Sequence, residues 1–220
     1  MVLSIKRRVH QYLLRDPAFR FLFDEPPPGE AVAIDCETTG LNTRRDDIVT
    51  VAAVIIRGSR ILASERFEAV VRPSAKMKAE AIKVHRLREG DVAGGRTMEE
   101  VLPELMRFIG SRPLVGYYLE FDVAMVNRHM RRMLGIGLPN PRIEISGLYY
   151  ERKYGNAPPG TQVDLRFAAI LADLGLPILD QHHAFSDALM TAMIYVALID
   201  LKDRNIRIPR QRARPITHFG

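Results

Sequence analysis

Apolar runs rich in β-branched residues come first along this chain, and amphipathic stretches with helical spacing follow. Ala31 to Ile34 is a short apolar run behind the stiff connector Pro26-Pro27-Pro28-Gly29, and it reads as a buried strand. Ile48 to Arg57 reads as a second strand. Gly58-Ser59 turns the chain into a third, Ile61 to Val71, which Pro73 ends. Lys78 to Leu87 and Thr97 to Ile109 have helical periodicity, and Thr97 with Glu100 three residues on forms a capping box. Pro113 to Tyr117 predicts a fourth strand and Arg142 to Ile145 a fifth. Asp122 to Leu134 predicts a helix stopped by Gly135, and Asp164 to Leu174 and Ala184 to Leu201 predict the last two helices. Residues 1–24 read as a short amphipathic helix, with Val9, Leu13, Leu14, Phe19 and Leu22 as a broken apolar stripe. A strand meander followed by alternating strands and helices implies an α/β fold, a mixed sheet covered by helices.

Composition narrows the class. The chain has 220 residues, 47% hydrophobic and 26% charged, which is enough to bury a core without staples. Cys36 is the sole cysteine, so an intramolecular disulfide and a Cys-rich zinc module are excluded. No apolar run reads as reaching the roughly 18 residues of a membrane span. Met1-Val-Leu-Ser-Ile-Lys-Arg-Arg breaks into charge too early for a secretory signal. The expectation is a soluble, cytoplasmic protein with no membrane partner. Net charge is +6, and it is unevenly placed. Lys202, Arg204, Arg207, Arg210, Arg212 and Arg214 face only Asp203, whereas residues 26–201 are close to neutral. Basic ends on a neutral core fit approach to a polyanion, and they fit a solvated tail equally well.

Chemistry concentrates in a few acids. Strand alternation puts Asp35 and Glu37 of Ile34-Asp35-Cys36-Glu37-Thr38-Thr39-Gly40-Leu41 on one face and points Cys36 to the other. Adjacent carboxylates repel and are costly to bury unless a cation lies between them; a hard divalent ion such as Mg²⁺ takes such oxygen ligands. Phe121-Asp122 opens a helix after an apolar strand, and His182 lies five residues before Asp187 at the start of another. Each feature has an ordinary alternative: exposed acids at a strand end, helix N-terminal acids favoured by the dipole, or surface histidines. Their joint appearance in this order is far rarer than any one of them. Gly135-Ile-Gly137 is no nucleotide fingerprint, because it lacks a third glycine and follows a helix.

The set resembles the DEDDh, or DnaQ-like, 3′-5′ exonucleases, a family that includes proofreading subunits of bacterial replicative polymerases. Asp35-Cys-Glu37-Thr-Thr-Gly-Leu41 is similar to its first motif, Phe121-Asp122 to the core of its second, and His182-x-x-x-x-Asp187 to its third; Ile82-Lys-Val-His85 resembles a segment between the first two. The resemblance implies a ribonuclease H-like sheet of five strands flanked by helices, the second strand antiparallel to the rest. It implies two Mg²⁺ or Mn²⁺ ions on Asp35, Glu37, Asp122 and Asp187, with His182 as general base and His183 as its rival. Thr38, Thr39, Gly40 and Leu41 would meet the terminal nucleotide, with His85 and Phe121 as further substrate contacts. Packing for Leu41 and Phe121, a positive-φ turn for Gly40 and a structural role for His85 are the alternatives. The implied partner is nucleic acid, most naturally a single-stranded DNA 3′ end, with RNA as the alternative, together with a polymerase or another replication or repair protein. A catalytically weak binding module is the reading from another class. The chain departs from the family in Tyr118-Leu-Glu-Phe-Asp, where Asn-x-x-Phe-Asp is common, and in Glu144-Ile-Ser-Gly-Leu148, where Asp-Thr-Leu is common. Residues 1–29 are expected to be a helical extension and connector, 30–201 the exonuclease domain and 202–220 a basic tail. Tyr149, Tyr150, Arg152, Lys153 and Tyr154 form a basic-aromatic cluster open to two readings, a single-strand platform or a helix face with a core-facing tyrosine.

Overall fold

A computed structural model describes residues 5–180 and 182–210. Five strands form one sheet in the order β3-β2-β1-β4-β5, with β1 (Glu30–Thr38), β2 (Ile48–Arg57), β3 (Arg60–Val70), β4 (Leu114–Gly116) and β5 (Arg142–Glu144). β2 runs antiparallel to both of its neighbours, and β1, β4 and β5 are parallel. This is the ribonuclease H-like arrangement of the expectation, with β2 as the reversed strand.

The period of two along β1 builds two separate cores. Val32, Ile34 and Cys36 join one apolar cluster with α4 (Met98–Ile109) and α5 (Leu119–Leu134). Ala31 and Ala33 point the other way, into a cluster with α6 (Ile145–Lys153), α7 (Phe167–Asp173) and α8 (Ala184–Asp203). β1 is therefore covered on both faces, as its near-continuous apolar sequence requires. The Thr97 capping box forms: Glu100 accepts from the Thr97 N–H at 2.8 Å and from its hydroxyl at 2.9 Å.

Several expectations change. Residues 1–24 are not one helix: α1 spans Ile5–Leu13, and Pro17 opens a separate 3-10 helix, Pro17–Phe23, capped by Asp16 through the Ala18 N–H at 2.9 Å. Phe19, Leu22 and Phe23 from that turn are buried in the α4/α5 core, so the extension contributes side chains to it. β1 continues through Asp35 and Glu37 to Thr38, longer than its apolar run predicts, because its polar end pairs with β2 at Asp35–Ala52 and Glu37–Thr50. α2 covers Ala79–His85, and the short α3 (Glu89–Val92) and α6 had no clear periodic signal in the sequence. Tyr149 of α6 is fully buried, with its hydroxyl bonded to Asp173, so the basic-aromatic cluster faces the core there. α8 is the one described helix long and apolar enough to cross a membrane by length and composition, although Asp187 and Asp200 interrupt its apolar run; it lies on the sheet against β1 and β2. The end of the basic tail, with Arg212 and Arg214, lies outside the described residues, whereas Ile208 packs into the α6/α8 core.

Candidate active site

β1 carries Asp35 and Glu37 to its C-terminal end. α5 and α8 bring Asp122 and Asp187 there in their first turns. The two helix acids are held locally. Asp122 is buried, and one carboxylate oxygen accepts the Cys36 N–H at 2.9 Å, which ties α5 to β1. Asp187 Oδ2 accepts the His182 N–H at 2.9 Å across the start of α8. That contact holds His182 in a left-handed conformation, φ +64°, which is uncommon for a residue with a Cβ. Its side chain is exposed, and ligand atoms of His182, Glu37 and Asp187 lie within 4.8 Å of one another. Asp35 feels the charges of Asp122, Asp187 and Glu37, so the four acids form one cluster.

The electrostatics of that cluster are unfavourable without a cation. Burial, reinforced by the neighbouring carboxylates, raises Asp35 well above the carboxylate range. Burial is also the main cause that pushes Glu37 up to about 7, with Asp187 adding to it, and Asp122 up to about 8 against the stabilising Cys36 N–H. Asp187 is raised by burial as well, opposed by its His182 bond. Among the described residues, no lysine or arginine is paired with any of the four. Oxygen donors with uncompensated negative charge suit hard divalent ions.

The cluster is bordered by two depressions. A cavity of about 300 Å³ is lined by Asp35, Tyr117, Phe167, His182, Asp187 and Thr191. A groove of about 210 Å³ on the other side of His182 includes Glu37, His85, His183 and Phe185. Tyr117 and Phe167 rings pack 4.9 Å apart, and Tyr117 and Tyr118 rings 4.6 Å apart, which gives an aromatic wall beside the acids. Sequence reasoning missed Tyr117 and Phe167. Tyr117 was detectable as an aromatic immediately after an apolar strand and before Phe121-Asp122; Phe167 follows an irregular segment with no such signal.

The proposed substrate contacts divide. Leu41 stands 84% exposed at a loop tip, the opposite of a packed residue. Thr38 and Thr39 are buried and hold the loop. The Thr38 hydroxyl donates to the Gly40 carbonyl at 2.8 Å, and Thr39 Oγ1 accepts from the Asp47 N–H at 2.9 Å. Gly40 does not have positive φ; a Cβ there would lie 2.5 Å from Asp46 Oδ2 and 2.7 Å from Lys78 Cδ, so a larger residue fits only if those side-chain ends shift. His85 is buried in the groove wall with Nδ1 accepting from the Leu87 N–H at 3.1 Å. Phe121 packs against the α4/α5 core. Cys36 is not remote from the acids: its thiol lies against Asp122, because α5 delivers that carboxylate from the sheet face to which Cys36 points.

The two departures from the family pattern are accommodated structurally. Tyr118 occupies a left-handed position, φ +54°, before α5, and asparagine tolerates that conformation better than tyrosine. Glu144 accepts from the Leu119 N–H at 2.9 Å and from the Ser146 N–H at 3.1 Å, fixing the starts of α5 and α6 together.

The sequence profile of the RNase T family, described as exonuclease, matches residues 32–195 and so includes every acid of the cluster. DNA polymerase III subunit epsilon of Aquifex aeolicus is 28% identical over 172 residues, 78% of this chain and 81% of the relative. DNA polymerase III PolC-type of Thermotoga maritima is 25% identical over 201 residues, 88% of this chain, but the match spans only 14% of that much longer protein. Among solved structures, exonuclease X in complex with 5′ overhanging duplex DNA superposes with a TM-score of 0.60 at 25% identity, over 79% of this chain and 93% of that one. Exonuclease I of E. coli in complex with a dT13 oligonucleotide has the same fold, with a TM-score of 0.67 at 13% identity over 80% of this chain and 42% of that one. The chain belongs to the RNase T exonuclease family, of DnaQ-like type.

Proposed function

We propose that this chain removes nucleotides from the 3′ end of DNA by metal-assisted phosphodiester hydrolysis. The observation that carries this reading is the cluster of Asp35, Glu37, Asp122 and Asp187, buried or half-buried, raised in pKa and without a paired cation, beside an exposed histidine. Four carboxylates match the charge of two Mg²⁺ or Mn²⁺ ions, and such ions supply Lewis-acid stabilisation of the charge that builds on the reacting phosphate. The acids are the proposed ligands. His182, held by its backbone bond to Asp187 Oδ2, takes the proton of the attacking water on a ring nitrogen. A phosphorus–oxygen bond to water forms as the bond to the 3′ oxygen of the penultimate nucleotide breaks. The product is a nucleoside 5′-monophosphate. Leu41 meets the terminal base, and the Tyr117–Phe167 wall excludes water from the cavity beside Asp35.

In this reading the enzyme works in the cytoplasm, alone or with a polymerase; the latter is suggested by the names of its epsilon and PolC-type relatives. The test is a 5′-labelled single-stranded DNA incubated with Mg²⁺, Mn²⁺ or EDTA, beside Asp122→Ala and a matching RNA. A ladder that shortens from the 3′ end, lost with EDTA and in the variant, is expected; the RNA lane assigns the substrate class. No product from either oligomer with either metal would overturn the reading.

A further inference from the structure

A cavity of about 500 Å³, larger than either depression beside the acids, opens on the opposite face of the sheet. Its base is Ile48, Val71 and Met98, all members of the α4/α5 core, whereas Asp35 lies on the α8 side of β1. Arg44, Arg72, Arg128, His129 and Arg132 surround it. Asp47 pairs with Arg128 and Glu99 with Arg132, leaving an excess of two positive charges. Those charges belong to Arg44 and Arg72, both exposed; neither guanidinium makes a hydrogen bond or ion pair with another described residue, although the charge of Arg72 acts on Glu100 of α4. His129 Nε2 is buried with no hydrogen-bond partner. An open cleft with free guanidinium forks suits phosphodiester oxygens.

Its position is set by the loop that carries Leu41. Thr39 binds Asp47 through the Thr39 N–H to the Asp47 carbonyl at 2.8 Å, and Asp47 Oδ2 accepts the Ser74 and Ala75 N–H groups at 2.8 Å each. One end of the loop is therefore the Thr38–Leu41 turn beside the acids, and the other is the cleft wall. Along α5, Arg128 and Arg132 lie about 9 and about 15 Å beyond Asp122 at ~1.5 Å per residue, on the scale of a few nucleotides. The cleft floor lies on the α4/α5 side of the sheet and Asp35 on the α8 side, and exposed Leu41 belongs to the loop that runs from one to the other. On the exonuclease reading, a strand whose 3′ end reaches the acids would occupy the α8 side, and its complement, parted from it at Leu41, the arginine side.

We propose that the arginine-lined cleft binds the phosphate backbone of the second, uncleaved strand of a duplex end. This rests on the exonuclease reading for where the first strand enters. The phosphates of a second strand would neutralise Arg44 and Arg72, an electrostatic contribution that does not depend on sequence.

The test is fluorescence anisotropy in EDTA with the full chain and an Arg44→Gln/Arg72→Gln double variant. The probes are a labelled single-stranded DNA and the same strand annealed to a complement. Both substituted side chains are exposed and unpaired, and matching circular dichroism spectra and melting curves establish that the variant folds. The expected result is an approximately tenfold weaker duplex affinity, a duplex salt slope shallower by about 2, and single-strand affinity within about twofold of the parent. Unchanged duplex affinity and salt slope would overturn the proposal. Equal losses on both probes would also overturn it, because they would assign the cleft to the cleaved strand. Cleavage of the single strand, measured separately with Mg²⁺, distinguishes failure of this assignment from failure of the exonuclease reading.

Discussion

Glu37→Gln removes one charge from the cluster while nearly keeping the side chain's shape, and it turns the electrostatic cost of the site into a measurable stability. The Glu37 carboxyl ionises at 4.5 in its unperturbed form and at about 7 in the fold, chiefly because it is buried and then because Asp187 is near. Folding raises the pKa, so the native chain holds a proton that the unfolded chain releases, and the native state loses stability as pH climbs from 4.5 through 7. At about 1.4 kcal/mol per tenfold, the loss is about 1 kcal/mol at pH 5 and about 3 kcal/mol at pH 8. The glutamine variant does not pay it. In EDTA the variant should therefore melt higher than the parent, by about 6–12 °C at pH 8 and by only a few degrees at pH 5, using ~2–4 °C per kcal/mol for a domain of this size. Mg²⁺ should raise the melting temperature of the parent more at pH 8 than at pH 5, and should raise that of the variant less. The assay is thermal denaturation followed by circular dichroism at the two pH values with and without Mg²⁺. Coincident melting of parent and variant at pH 8 in EDTA would show that the Glu37 charge costs the fold nothing, as would a difference that is the same at both pH values.

Four further substitutions separate roles that the sequence alone leaves together. His182→Ala should lower single-turnover cleavage by about 10²–10⁴-fold with little change in substrate affinity, whereas His183→Ala should stay within a few-fold of the parent; reversed magnitudes would assign the base to His183. Gly40→Ala places a Cβ 2.5 Å from Asp46 Oδ2 and should cost about 1–3 kcal/mol in urea unfolding, and a neutral result would show that the loop moves freely. Tyr118→Asn should stabilise the fold by about 1 kcal/mol in the same experiment, by relieving a tyrosine at φ +54°; a loss of stability would mean that its 4.6 Å ring contact with Tyr117 outweighs the strain.

What the sequence disclosed followed physical range. β2 was legible to the residue, Ile48 to Arg57, because an apolar run bounded by turn residues is a local signal. The site acids were legible because strand alternation and helix starts place Asp35, Glu37, Asp122 and Asp187 by short-range rules, and the family motifs join them. Features set by distant contacts were not legible. Strand β1 extends beyond its apolar residues because β2 is there to pair with Glu37 and Thr38. The thiol of Cys36 meets Asp122 although alternation turns it away from Asp35, since α5 crosses the end of the strand. Gly40 is crowded by the side-chain ends of Asp46 and Lys78 and not set by its own φ. The 3-10 turn at Pro17–Phe23 takes its reason from the core that Phe19 and Leu22 enter.

The central claim is that the four carboxylates are gathered to hold divalent ions. Titration of the full chain with Mn²⁺, with free Mn²⁺ measured by electron paramagnetic resonance, tests it directly, because it needs neither a substrate nor a product. Saturation at two ions per chain is expected, falling to one or none in Asp35→Asn. Binding that never saturates, or the same stoichiometry in parent and variant, would contradict it.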